Sequence, residues 1–366
     1  MKFERARERE SLDASIAHIA RAYGFTSSPV PISKKAVADQ GDMDVGIAVV
    51  TALVKAQQPT KRPQHVWAAA KKSGGMVLSF TVMASRHAIS HALVVKTALS
   101  IAEVAGYTDL VVGVSSIGDA ESRRRFQREL NSFFRKHAEL IEPDMLKRAQ
   151  QNPESVYRNI LAQGGELAER LPRPIDYLSE SSRKSMVDTL HLFESVGIQY
   201  ELQPHLPATL GVHGEMLFAI SGVDQKGERA TIATGGRLDE LMKKQDKQPV
   251  GHSVGLSLMM PDTVEPTLSE AQLACFVVHV GEAAKLRAFS LIEILWRANV
   301  SVEEALLAES LRDQMDEAKR TSAKYIAIVG QREALDNTVI LRNVGTGMQQ
   351  SLPVERLASH VGRVTR

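Results

Sequence analysis

Several groups of residues in this chain have the types and spacing to do chemistry. Arg123, Arg124, Arg125 and Arg128 crowd one stretch of helical periodicity. Guanidinium groups so placed form either a solvated basic face or a contact for a phosphate backbone. His87 and His91 stand at i, i+4, where two imidazoles on one helical face can share a metal ion. With no third ligand nearby in the sequence, a solvent or core pair is expected there, and no metal. Gly235 and Gly236 precede Arg237 and Asp239. The glycines permit close approach of neighbouring strands, and the arginine and aspartate can pair near a turn. Ser115 to Asp119 has the composition of a strand end followed by a helix whose N-cap is Asp119. The single cysteine, Cys275, sits in an apolar run and is expected to be a buried small hydrophobe rather than a reactive thiol.

These groups need a scaffold. A length of 366 residues suits two domains, and 43% hydrophobic with 24% charged residues is ordinary for a globular protein. The net charge of +2 is unevenly spread. Residues 1–150 carry 22 Lys+Arg against 15 Asp+Glu, residues 151–267 carry 11 against 16, and residues 268–366 carry 12 against 12. A nucleic-acid partner would therefore be met by the first 150 residues. The N-terminus alternates charges and has no apolar core, unlike a secretory signal. The run from Ile89 to Ala105 is broken by His91, Lys96 and Glu103 and is too short to span a membrane. The expected location is the cytoplasm, with no membrane contact.

The periodicities predict a helix over Ser11–Tyr23 closed by Gly24, a strand over Val77–Val82 and a helix over Ile89–Ala105. A buried strand follows at Leu110–Ser115, then a charged helix at Ala120–Ala138 and helical sequence to about Glu194. Strands are expected at Ile198–Leu202, at Met216–Val223 and, after a turn through Asp224–Gly227, at Ala230–Ala233. A break at Pro261–Pro266 separates a region with a different pattern. There, strands at Cys275–Val280, Val300–Val302, Tyr325–Val329, Thr338–Arg342 and Gln349–Leu352 alternate with helices at Glu282–Ala298, Ala308–Ser322 and Val354–Val361. The reading is α+β: a first domain over residues 1–262 with a helical insertion at about 120–194, and an α/β domain over 268–366 with a mainly parallel sheet.

Several stretches, in order, resemble the histidyl-tRNA synthetase family. Ser115-Ser116-Ile117-Gly118-Asp119 resembles its Asn-Ser-Leu-Gly-Asp strand end, and Gly197-Ile198-Gln199-Tyr200 its Leu-Gly-Ile-x-Tyr strand. Gly235-Gly236-Arg237-Leu238-Asp239 resembles its Gly-Gly-Arg-Tyr-Asp signature. Val277–Val280, Leu295–Ala298 and Ser310–Arg312 resemble segments of its anticodon-binding domain. The resemblance implies a class II synthetase fold, an antiparallel sheet backed by helices, with an appended anticodon-binding-like domain. It also implies a homodimer, and tRNA as a partner.

The resemblance further implies three phosphate-clamping arginines, because histidine activation places negative charge on the α-phosphorus of ATP. Ala208 stands where one of them belongs, with Val212 and His213 in place of a tyrosine pair, and Leu258 stands where motif 3 has another. Motif 2 is shortened and offers only Lys71 and Lys72. The family's arginine-bearing turn before it has at best a remnant at Asp42-Met43-Asp44. Gly235, Gly236, Arg237 and Asp239 are then remnants of a ligand site, with Arg237 and Asp239 either a structural pair or a holder of an amino-acid amine. The expectation is a non-catalytic relative that binds tRNA or a protein partner and needs no cofactor. Two alternatives stay open: an active histidine–tRNA ligase using ATP and magnesium, and a regulatory subunit like that of ATP phosphoribosyltransferase.

Overall fold

A computed structural model describes residues 2–28, 47–52, 55, 62–72, 74–206, 213–244, 252–261 and 273–362. The segment Gly75–Met83 is buried at every position. A strand covered on both faces belongs inside a sheet, and this one lies third across eight strands. They are β1 (Thr26–Ser27), β2 (Gln64–Lys72), β3 (Gly75–Met83), β4 (Thr108–Ser116), β5 (Tyr200–Leu202), β6 (Met216–Val223), β7 (Arg229–Arg237) and β8 (Val254–Met260), ordered β1-β2-β3-β8-β7-β6-β4-β5. The interior pairs are antiparallel, and only the short edge pairs β1–β2 and β4–β5 are parallel.

One face of this sheet is backed by helices α1 (Lys2–Ala22), α2 (Ile89–Val104) and, beyond the insertion, Glu180–Ser195. Helix α2 is apolar nearly all round and correspondingly buried, from Ile89 to Ala102. The insertion begins with α3 (Ala120–Lys136) and continues through the helices Pro143–Gln151 and Pro153–Gln163. It has a core of its own around Phe126, Leu130, Tyr157 and Ile160. Asp119 caps α3 as the sequence predicts, its Oδ1 accepting from Ser122 N at 2.9 Å.

The second sheet contains β9 (Cys275–His279), β10 (Val302–Glu304), β11 (Tyr325–Val329), β12 (Thr338–Asn343) and β13 (Gln349–Pro353) in the order β10-β9-β11-β12-β13. The expectation of a mainly parallel sheet is corrected. β10–β9 and β9–β11 are parallel, but β11–β12 and β12–β13 are antiparallel. A parallel crossover needs a dozen residues or more, and only residues 330–337 separate β11 from β12. That link spends Gln331–Asp336 on a short helix, and Asn337 at φ 53° turns the chain back.

A single hydrophobic core runs through both sheets, joining α1, α2 and β3 to β9 and to the helix Glu282–Arg297, here α4. Helix α1 is the wedge between them. The residues that helical periodicity puts on one stripe, Leu12, Ile16, Ile19 and Ala20, face this core, with Leu12 partly and the others fully buried, and Ala17, Ala22 and Tyr23 are buried as well. The stretch 262–272, where the sequence places the domain boundary, lies outside the described residues. Among the described residues no helix is long and apolar enough to cross a membrane.

Candidate functional site

Alternation along the central strands sorts their side chains onto two faces. Leu78, Phe80, Leu256 and Leu258 join the helix-backed core, so Ser79, Thr81 and Ser257 point to the other face. Ser79 is paired in register with Ser257, and Ser257 with Thr234. The hydroxyls of Ser79 and Ser257 are hydrogen-bonded at 2.7 Å, and both side chains are buried. The buried hydroxyl of Thr81 has no hydrogen-bond partner among the described residues. Strands β3, β6 and β8 contain no lysine or arginine. On this second face these three strands therefore offer buried neutral hydroxyls where a phosphate clamp would require cations.

Leu258 is fully buried in the helix-side core, paired in register with Leu78 and Ala233. A guanidinium at that position would sit among aliphatic groups, where an unpaired charge is severely destabilising. The β2–β3 hairpin closes tightly: Lys72 pairs with Gly75, so only residues 73 and 74 separate the strands. Such a turn has no room for a loop reaching over a nucleotide. Ala208, Val212 and the Asp42–Asp44 turn lie outside the described residues.

The two glycines are explained by backbone contact. A Cβ on Gly235 would lie 2.2 Å from the Gly255 carbonyl oxygen, and one on Gly236 would lie 2.3 Å from that of Met216. Arg237 and Asp239 meet as an ion pair. Arg237 Nη2 donates to both carboxylate oxygens at 3.0 and 3.1 Å, and to His252 Nδ1 at 3.0 Å. The Ser253 amide adds a third donor to Asp239 at 3.2 Å. The guanidinium is buried, and the group ties the end of β7 to the approach of β8. Burial holds the His252 imidazole below its ordinary value, with Asp239 opposing that shift.

The two histidines at i, i+4 do not cooperate. His91 is buried against Phe218, its Nδ1 3.3 Å from Thr189 Oγ1, and burial aided by Arg237 pushes its pKa down to about 3. His87 instead faces Glu309 of the second sheet's unit, at 3.8 Å. Among the described residues no group of three or more His, Cys, Asp or Glu could hold a metal ion. Cys275 is fully buried in β9, and burial pushes its thiol up to about 12.

The basic helix face is only half available. Arg123 Nη2 pairs with Glu240 at 3.1 Å, and Arg125 pairs with Glu121 one turn earlier. Arg124 and Arg128 are exposed on α3 and make no ion pair among the described residues.

Sequence reasoning missed the seam between the two units, where charges are dense. Lys96 Nζ lies 2.9 Å from Glu293, Arg297 Nη2 2.6 Å from Glu103, and Arg21 Nε 2.6 Å from Glu303. Between them Trp296 Nε1 donates to the Tyr23 hydroxyl at 3.3 Å, and Tyr23 packs on Phe289 with ring centroids 5.9 Å apart. One signal could have pointed here: residues 51–100 contain seven Lys+Arg and no Asp or Glu. That block supplies much of the first unit's wall.

Comparison with known proteins agrees with this architecture. Residues 274–363 match the family described as "Anticodon binding domain". A histidine–tRNA ligase of Bacillus licheniformis is 28% identical over 270 residues, covering 72% of this chain and 63% of the relative. One from Desulfosudis oleivorans is 30% identical over 255 residues, covering 68% of this chain and 60% of the relative. The chain thus spans less than two thirds of the length of these relatives. The apo S. aureus histidyl-tRNA synthetase structure superimposes with a TM-score of 0.53 at 18% identity, covering 98% of this chain and 96% of that one, a likeness of fold.

Proposed function

We propose that this chain, which belongs to the histidyl-tRNA synthetase family as a divergent member, binds tRNA without activating an amino acid. The observation that carries this reading is Leu258: aliphatic, fully buried and packed in the core at the position that motif 3 gives to an arginine. Adenylate formation develops negative charge on phosphorus, and removing one electrostatic contact of that kind costs about 10²–10³ in rate. Strands β3, β6 and β8 carry buried hydroxyls and no cation, and the β2–β3 turn is too short to bring one in. ATP and magnesium have no part in this reading. Binding of tRNA is supported by the anticodon-binding family match over residues 274–363 and by the exposed Arg124 and Arg128. A two-fold dimer through the first unit, as in many symmetric assemblies, belongs to the same proposal, and light scattering would read it as about twice the 40.1 kDa chain mass.

Pyrophosphate exchange tests the catalytic half. Purified protein with histidine, ATP and magnesium should exchange label no faster than an enzyme-free control. Histidine-dependent exchange above that control would replace this reading with an active ligase. Filter binding to total tRNA at low salt tests the other half, and absence of binding there would point to a protein partner.

A further inference from the structure

At the seam the two units leave a cleft of about 990 Å³, at the upper end of the range for small-molecule sites. Its walls differ in charge. The first unit contributes Arg62 and Arg86, and the second contributes Glu304, Glu309, Asp313 and Glu317. Arg62 already acts on Glu317, so carboxylates are in excess. His65 also lines the cleft, but burial pushes its pKa down to about 4, leaving it neutral at physiological pH.

Glu304 is the unusual member. Its side chain is fully buried at the end of β10. Oε2 accepts from the Leu306 amide, while Oε1 has no hydrogen-bond partner among the described residues. His65 Nδ1 lies 3.5 Å from Oε1. A buried carboxylate oxygen left bare costs the full desolvation of that atom. Gly24, at the end of α1, narrows the space around it: a Cβ there would lie 2.5 Å from both Glu304 Oε1 and His65 Nδ1. Gly24 and His65 thus pack closely against Oε1 at the wall of the cleft.

We propose that the seam cleft binds a small organic cation, an aliphatic amine or diamine, whose ammonium head bonds Glu304 Oε1 while Asp313 and Glu317 face the remainder of the chain. An anion would meet the wrong majority charge. A metal ion is disfavoured because no three potential ligands converge among the described residues. An ammonium supplies what Oε1 lacks, a charged donor at hydrogen-bond range.

The proposal has a proton signature. Burial, with like charge from Glu317 and Glu303, pushes the Glu304 carboxyl up to about 7. The other groups facing it are His65 from β2, neutral in this range, and Arg62, which sits nearer Glu317. An ammonium bonded to Glu304 favours the carboxylate, so binding releases a proton near neutrality. Affinity should therefore rise between pH 6 and 8, well below the titration of an aliphatic amine.

This inference does not depend on the tRNA reading, and nucleic-acid-free full-length protein is the material for its test. Titration calorimetry with 1,4-diaminobutane and with spermidine, against sodium and magnesium chloride at matched ionic strength, should show one saturable diamine site. The observed enthalpy should vary linearly with the buffer's ionisation enthalpy, with a slope that reports the proton released. Glu304→Gln keeps the shape and the Leu306 contact, and should weaken binding roughly ten- to hundredfold, the range for a missing charged hydrogen bond. It should also abolish the pH dependence. Asp313→Asn, on the outer wall, should weaken binding a few-fold. No diamine binding at millimolar concentration, unchanged affinity in Glu304→Gln, or stronger binding of magnesium would each overturn the proposal. If Glu304→Gln does not fold, proton release by the unmutated protein and the effect of Asp313→Asn still decide it.

Discussion

The second face of the first sheet and the seam between the units both hold polar groups out of water, by opposite means. On the sheet, Ser79, Thr81 and Ser257 are buried without formal charge, two of them bonded to each other. At the seam, Lys96–Glu293, Arg297–Glu103 and Arg21–Glu303 each set a cation of one unit against an anion of the other. Neutral hydroxyls are cheap to desolvate, whereas charges need partners and fix orientation. The contrast teaches that polar groups can be held by hydroxyl pairing within a sheet and by ion pairing between units. The seam charges hold the two units together. They act there on a common core, in which Trp296, Tyr23 and Phe289 are buried together.

The contrast predicts that restoring a sheet charge will be far more costly than removing a seam charge. Leu258→Arg combines loss of a packed leucine with burial of an unpaired cation and should cost at least about 4 kcal/mol in urea unfolding. Leu258→Met, at nearly constant volume, should cost under about 1.5 kcal/mol. If Leu258→Arg folded normally and exchanged pyrophosphate, the non-catalytic reading of the Leu258 position would fail.

The next effect is electrostatic and belongs to the pair of His65 and Glu304. The folded pKa of His65 is depressed by burial from 6.5 to about 4, so its contribution is present above 6.5 and lost as pH falls toward 4. Glu304 is raised from 4.5 to about 7, so its contribution is present below 4.5 and lost as pH rises through 7. Between about 4.5 and 6.5 the two slopes cancel, because folding moves one proton from the imidazole to the carboxyl. Glu304→Gln should uncover the His65 slope, lowering stability toward acid by up to the order of 3 kcal/mol relative to wild type. His65→Gln should tilt the other way, losing stability as pH rises from 4.5 to 7. Calorimetric melting of the three proteins across this range checks both signs, and parallel curves would mean that the pair is not buried as described.

A smaller effect is expected from Lys96→Met. It removes one seam cation but leaves Glu293 its second partner, Arg297 at 2.9 Å. Unfolding should show a loss of about 1–2 kcal/mol, between the values for exposed and buried pairs. A loss as large as that of Leu258→Arg would erase the contrast between the two regions.

How legible each region is follows from the range of its interactions. Strands over Met216–Val223 and Tyr325–Val329 are legible to their observed ends, since a run of apolar, β-prone residues is a local signal. Strand β2 is not legible as a strand, because Ala68, Ala69 and Ala70 carry little β preference and only its pairing with β3 holds it. The cap at Asp119 and the close approach at Gly235 and Gly236 follow from residue type alone. The seam does not: Arg21 meets Glu303 and Arg297 meets Glu103 across 282 and 194 positions. Regional charge totals, taken over the chain, average such pairs away. The same averaging overstates the basic face, since Glu240, more than a hundred residues downstream, neutralises Arg123.

That last pairing sharpens what nucleic-acid binding should look like. Arg123 and Arg125 are held by Glu240 and Glu121, so of these four arginines Arg124 and Arg128 carry the free charge. Removing one phosphate contact lowers the dependence of log K on log salt by about 0.7 for a single strand and about 0.9 for a duplex. Replacing Arg124 and Arg128 by alanine should flatten the slope for tRNA by roughly 1.4–1.8. Adding Arg123→Ala and Arg125→Ala should change it little more. The unmutated comparison must be the full chain. Removing the residues from 268 onward would bare Tyr23, Ile16 and Ile19, which share one core with Phe289 and Trp296, so a truncated protein would report on unfolding rather than on recognition. Filter binding of the double and quadruple variants over a salt series separates the two pairs of arginines. Equal slopes for wild type and double variant would move the tRNA contact off α3, and the arginine-rich wall of the first unit at Arg62 and Arg86 would be the next surface to mutate.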